Sequence, residues 1–161
     1  MRLGLDCIDN HCASLFFLFA LLLTAAFKDL KERRIPNQLL MIGGVGAVLM
    51  SLSMQSIPLQ ALVAGGALGL LVFLPFYAFA AMGAGDVKLM AIVGTFLGVK
   101  GVLASALFTA LAGGILALGF AFFKAGSQLP YAVAILAGVT GYVILSHSNP
   151  TILNFPLWGP W

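Results

Sequence analysis

The chain has 161 residues but only eight Lys/Arg and five Asp/Glu, so 8% is charged and 61% is hydrophobic. A soluble domain carries about 25% charged residues, and this chain has too few to cover a soluble surface. A mean hydropathy of +1.09 also excludes intrinsic disorder and leaves a polytopic membrane protein.

Runs such as Leu68-Gly69-Leu70-Leu71-Val72-Phe73-Leu74 do not alternate polar with apolar residues, so helices are expected rather than a spanning β-barrel. The expectation is an all-α integral membrane protein, one domain over 1–161, with a bundle of about six transmembrane helices. The net charge is +3, but the basic residues sit beside apolar segments. That pattern sets orientation and gives no reason to expect a nucleic-acid partner.

Residues 1–12 read as a short polar tail on the outer side. A first helix follows from about Ala13 to Phe27. It has the length of a signal-peptide core, but Asp6 and Asp9 outweigh Arg2 and no small-residue cleavage site follows. The basic cluster Lys28, Lys31, Arg33 and Arg34 comes after it. The helix is therefore expected to stay uncleaved, with its C-terminal end in the cytoplasm.

Residues 35–85 form a stretch of 51 positions without a formal charge. A crossing needs about 20 apolar residues, so two crossings and a turn fit. The predicted helices run from about Gln38 to Leu52 and from about Leu59 to Ala80. Ser51–Pro58 is the turn, with Pro58 suited to a helix start. Two crossings return the chain to its starting side, which places Asp86 on the side of Asp29.

Residues 89–99 span only about 16 Å as a helix, against a hydrocarbon core of about 30 Å. The segment either extends back through Asp86 or is re-entrant. A short full crossing that draws Asp86 toward the membrane is the expectation. Residues 101–123 form a further helix, Lys124 to Pro130 a polar loop, and Tyr131 to Leu145 the last helix. In the tail, 146–161, Trp158 and Trp161 suit the membrane interface. Gly65/Gly69 and Gly94/Gly98 are four apart and permit close helix packing.

Ionisable groups near a membrane segment are functional candidates, because they need pairing or hydration there. Asp6 and Asp9 fall in the polar tail, and Glu32 falls among basic residues. Asp29 and Asp86 remain. Gly83 and Gly85 precede Asp86 and allow another segment to approach closely. Two carboxylates on one side could share a proton, one acting as base on a water and the other as acid on an amide. Such a pair needs no cofactor and no metal. Cys7, Asp9, His11 and Cys12 fit no tetrahedral zinc spacing. The bland readings are that Asp29 pairs with a neighbouring cation and that Asp86 N-caps a helix starting near Val87.

Gly83-Ala84-Gly85-Asp86-Val87-Lys88-Leu89, together with Asp29 and Ile35-Pro36-Asn37, resembles the prepilin peptidase family of GxGD-type intramembrane aspartic proteases. The segment from Gln128 through Pro130-Tyr131 to Gly138 resembles that family's late Pro-Tyr block. The resemblance covers roughly 13–145. It implies cleavage of the basic leader of type IV prepilins or pseudopilins at the cytoplasmic face of the inner membrane. It implies Asp29 and Asp86 as the catalytic pair. Gly83, Gly85, Lys88, Pro36, Asn37, Pro130 and Tyr131 would shape the site or the approach of substrate. The substrate's apolar helix would lie against the bundle, along glycine-rich faces, among membrane lipid. The closest likeness is to the small tight-adherence (Flp) pilus branch, with archaeal preflagellin peptidases nearby. The larger members carry a cysteine-paired cytoplasmic region that this sequence does not show, so methyltransferase activity is not expected. Two other classes stay open on the residues alone. One is a small proton-coupled transporter or channel using the same two acids, and the other is a structural assembly subunit. The oligomeric state is not legible.

Overall fold

The computed structural model describes residues 2–54, 59–79, 82–122 and 131–148. The side chains at 2–12, 53, 54, 120–122 and 147 lie outside that description. So do residues 55–58 of the expected turn, the loop with Pro130, and the tail with Trp158 and Trp161.

Five helices make up the described chain, with no strand among them: α1 (Arg2–Glu32), α2 (Asn37–Met54), α3 (Leu59–Ala78), α4 (Ala84–Phe122) and α5 (Tyr131–Ser148). The first begins at Arg2, so the segment expected as a tail is helical and continuous with the apolar span. Among the described residues, three stretches are long and apolar enough to cross a membrane: Ala13–Glu32, Leu59–Ala78 and Ala84–Gly119. Asn37–Leu52 and Tyr131–Ser146 are shorter apolar helices. Large apolar side chains such as Phe16, Leu23, Met41, Leu71, Leu107 and Ile115 point outward. A surface of this kind suits lipid rather than water.

The long α4 is not straight. Gly98 breaks it with φ 69 and ψ −177, a left-handed φ that glycine adopts without the penalty a Cβ brings. The expected boundary was Lys100; it falls two residues earlier because only the glycine tolerates this backbone. The break divides α4 into segments 84–97 and 99–122. Asp86 lies near Asp29, Asp29 bonds Ala132 at the start of α5, and Gly113 packs on Tyr131. In a straight helix Asp86 and Gly113 would be roughly 40 Å apart. Both approach the start of α5, so the chain turns back at Gly98. The first segment is roughly 21 Å long, and it reaches back through Asp86 as expected.

Close backbone packing holds the hairpin. A Cβ on Gly65 would collide with the Gly94 carbonyl, and one on Gly69 with the Met90 carbonyl. The second segment packs on α5 in the same way, with Gly138 against Thr109. Gly65, Gly69 and Gly94 thus serve helix contact, as their spacing suggests, whereas a Cβ on Gly98 would meet nothing and that glycine serves the break. The glycine faces of α3 and the first segment of α4 are buried against each other.

The core runs through this hairpin. Leu18, Leu22, Leu89, Met90, Val93, Phe96 and Tyr142 are buried, and the rings of Phe17 and Phe96 stand 5.9 Å apart. A contrast tests the packing. Gly65→Ala is expected to lower stability in detergent by roughly 1–3 kcal/mol, the range for overpacking. Gly44→Ala, in open space on α2, is expected to be neutral or to gain up to about 1 kcal/mol from helix propensity. Chemical unfolding of both variants measures the difference.

Candidate active site

Asp29 continues the buried stripe of α1 formed by Leu18, Leu22, Ala25 and Ala26. The spacing of three to four residues puts its carboxylate on the inward face. Asp29 is only 8% exposed, and its Oδ2 accepts a hydrogen bond from the Ala132 N–H at 3.1 Å. That donor is one of the backbone N–H groups a helix leaves unpaired in its first turn, and it favours an anionic acceptor. Helix α1 ends one turn later. The Arg33 N–H bonds the Asp29 carbonyl at 2.9 Å, and Arg33 takes a left-handed φ of 52. Lys28 pairs with Glu32 at 2.9 Å on the exposed face. Asp29 therefore binds a distant helix start, whereas the bland reading gave it a neighbouring cation.

Asp86 lies on the matching stripe of α4, with Leu89, Met90, Val93 and Leu97. The helix starts at Ala84, so Asp86 is not its N-cap. Asp86 is the third helical residue, and its Oδ2 accepts from the Gly83 N–H at 3.3 Å. This is the reciprocal half of a capping box, with Gly83 in the cap position. Asp86 is 7% exposed, and its Oδ1 is buried with no hydrogen-bond partner among the described residues. The carboxylates of Asp29 and Asp86 interact electrostatically across the space between α1 and α4. Each thus has one oxygen held by a backbone N–H, and Asp86 keeps an oxygen free to bond a third group.

The flanking motif residues gather here as well. A Cβ on Gly83 would lie 3.1 Å from Asp86 Oδ2, and one on Gly85 would lie 3.1 Å from the Ile35 Cβ. Lys88 Nζ donates to Asn37 Oδ1 at 3.3 Å. The Pro36 carbonyl accepts from the Leu39 N–H at 3.0 Å and starts α2. Tyr131 is half-buried beside Gly113. Pro130 lies outside the described residues. Among the described residues, no three His, Cys, Asp or Glu side chains gather at metal-ligating range.

A cavity of about 580 Å³ opens between α3 and the second segment of α4, and neither Asp29 nor Asp86 lines it. Its wall includes Phe76, Leu107, Gly114, Met82 and Tyr131 and is almost entirely apolar. Met82 directly precedes Gly83, and Tyr131 directly precedes Ala132. The cavity is therefore continuous with the chain segments that hold both carboxylates.

Sequence reasoning missed the Ala132 donor, because a backbone N–H leaves no mark on residue type. Its position just after Pro130-Tyr131, at a helix start, was the available signal. The seating of Ile35 on Gly85 was also missed, although both residues stand in the motif blocks.

A family model described as the type IV leader peptidase family matches residues 16–118, more than half of the chain. No curated protein and no solved structure matches. The matched span contains Asp29, Asp86, the α1–α2 connection and Gly83, but ends before Ala132. One consequence of the site geometry is testable by unfolding in detergent. Gly85→Leu is expected to push Ile35 off the start of α4 and cost roughly 1–3 kcal/mol. Ala84→Leu, at the exposed neighbouring position, should leave the midpoint unchanged.

Proposed function

The chain belongs to the type IV leader peptidase family, and we propose that it is an aspartic endopeptidase that removes the basic leader from Flp-type prepilins. It works in the inner membrane, as a bundle of about six spans with its N-terminus outside. The active site faces the cytoplasm. The observation that carries this reading is that α1 and α4 each bury one carboxylate, close enough for the two to interact electrostatically.

The chemistry follows from the pair. One carboxylate is ionised and takes a proton from a water. The water oxygen attacks the carbonyl carbon of the scissile amide. The other carboxyl group is protonated and gives its proton to the amide nitrogen as the C–N bond breaks. The products are a new C-terminal carboxylate on the leader and a new N-terminal amine on the pilin. Two like charges at close range disfavour double ionisation, which suits one shared proton. Asp86 Oδ1, buried and without a hydrogen-bond partner among the described residues, is the oxygen left to meet water or substrate. The apolar cavity lined by Met82 and Tyr131 suits apolar side chains of the substrate's helix.

The test is co-expression with a prepilin, followed by mass measurement of the pilin. Asp29→Asn and Asp86→Asn each keep the shape of the side chain but remove the proton chemistry. Each is expected to lower the cleavage rate by at least about 100-fold. Leader removal at the wild-type rate by either variant would sink the assignment.

A further inference from the structure

We propose that Asn37 and Lys88 are positioning residues for the carboxylate pair. Their hydrogen bond, with Ile35 seated on Gly85, latches the α1–α2 connection onto the first turns of α4 and so sets Asp29 against Asp86. The consequence for cleavage rests on the peptidase reading; the latch itself rests on geometry.

Asp29 and Asp86 belong to helices that touch each other little. Helix α1 packs mainly on α5, and α4 packs mainly on α3 and α5. The relative position of the two carboxylates therefore depends on what joins the two helices near the site. The Ala132 N–H is one such link, through α5. The connection between α1 and α2 is the other.

That connection is short and stiff. The Arg33 N–H bonds the Asp29 carbonyl, so the chain leaves α1 from the turn that carries Asp29. Helix α2 begins at Asn37, with only four residues between it and the end of α1 at Glu32. Pro36 has a fixed φ, and its carbonyl accepts from the N–H groups of Leu39 and Leu40. Whatever holds Ile35 and Asn37 thus holds the end of α1 that carries Asp29.

Two contacts do so, and they bracket Asp86. Ile35 lies against Gly85, where a side chain would displace it. Lys88 Nζ reaches Asn37 Oδ1 across 51 positions of sequence. Residues two apart on a helix do not face each other, so the Lys88 ammonium points away from the Asp86 carboxylate. Contact at residue 85 and at residue 88 fixes both the rotation and the height of the α4 start. Two carboxylates repel when both are charged, so a pair of this kind needs restraint from outside itself.

The test combines a distance measurement with kinetics, in a chain carrying Cys7→Ser and Cys12→Ser. Spin labels at Leu30→Cys and Ala84→Cys, both exposed positions, report the separation of α1 from α4. Asn37→Leu and Lys88→Met are each expected to broaden the distance distribution. Each should lower kcat for precursor cleavage roughly tenfold or more with KM held within about twofold, as misplacement of reacting groups does. The reciprocal exchange, Asn37→Lys with Lys88→Asn, rebuilds the bond in reverse. It should narrow the distribution again and recover most of kcat. An unbroadened distribution in both single variants overturns the latch, as does an exchange that restores neither readout. A rise in KM at constant kcat overturns it too, by making the two residues substrate contacts. Broadening that the exchange reverses, with no precursor cut even by the parent chain, supports the latch and overturns the peptidase reading instead.

Discussion

Two carboxyl groups buried at one end of an apolar bundle repel each other and lose hydration, and the local structure answers both problems. Each Oδ2 takes a backbone N–H: Ala132 for Asp29 and Gly83 for Asp86. Both donors stand at helix starts, where N–H groups have no partner of their own. The site therefore stabilises its acids with main chain and leaves Asp86 Oδ1 without a partner among the described residues. A side-chain cation at the same place would neutralise the pair and fix it in one ionisation state.

This arrangement requires three helix ends to meet: the end of α1 and the starts of α4 and α5. The break at Gly98 makes that possible. Without it α4 would carry its second half away from the site. With it, α4 leaves the site, turns, and returns beside Tyr131. The close packing of Gly65 on Gly94 and of Gly138 on Thr109 then holds the two segments against α3 and α5. These glycines let the backbone fold back at this density.

Much of this was legible in the sequence. Helix positions followed from charge-free length, and the return of Asp86 to the side of Asp29 followed from room for two crossings. The stripe Leu18-Leu22-Ala25-Asp29 shows why the first acid turns inward, as does the run from Asp86 through Met90 to Val93 for the second. Other features were not legible, for physical reasons. The break could not be placed because Gly94, Gly98 and Gly101 all offered a permissive backbone, and only tertiary packing selects among them. The helical state of residues 2–12 was missed because charged residues there suggested a tail, whereas a helix accommodates polar residues beyond its apolar span. The Ala132 donor and the Asn37–Lys88 bond join positions far apart in the chain, and no local pattern encodes them.

The central claim is that the side chains at 29 and 86 face each other at one end of the bundle. The most direct measurement is thiol bridging in membranes, with Asp29→Cys and Asp86→Cys in a chain lacking Cys7 and Cys12. The comparison pair is Asp29→Cys with Thr95→Cys, whose second thiol lies about 13 Å further along the same helix. The expected result is a single bridged species, identified by mass, for the 29/86 pair and little for the 29/95 pair. Equal yields in the two pairs, or no bridge between 29 and 86, would contradict the claim.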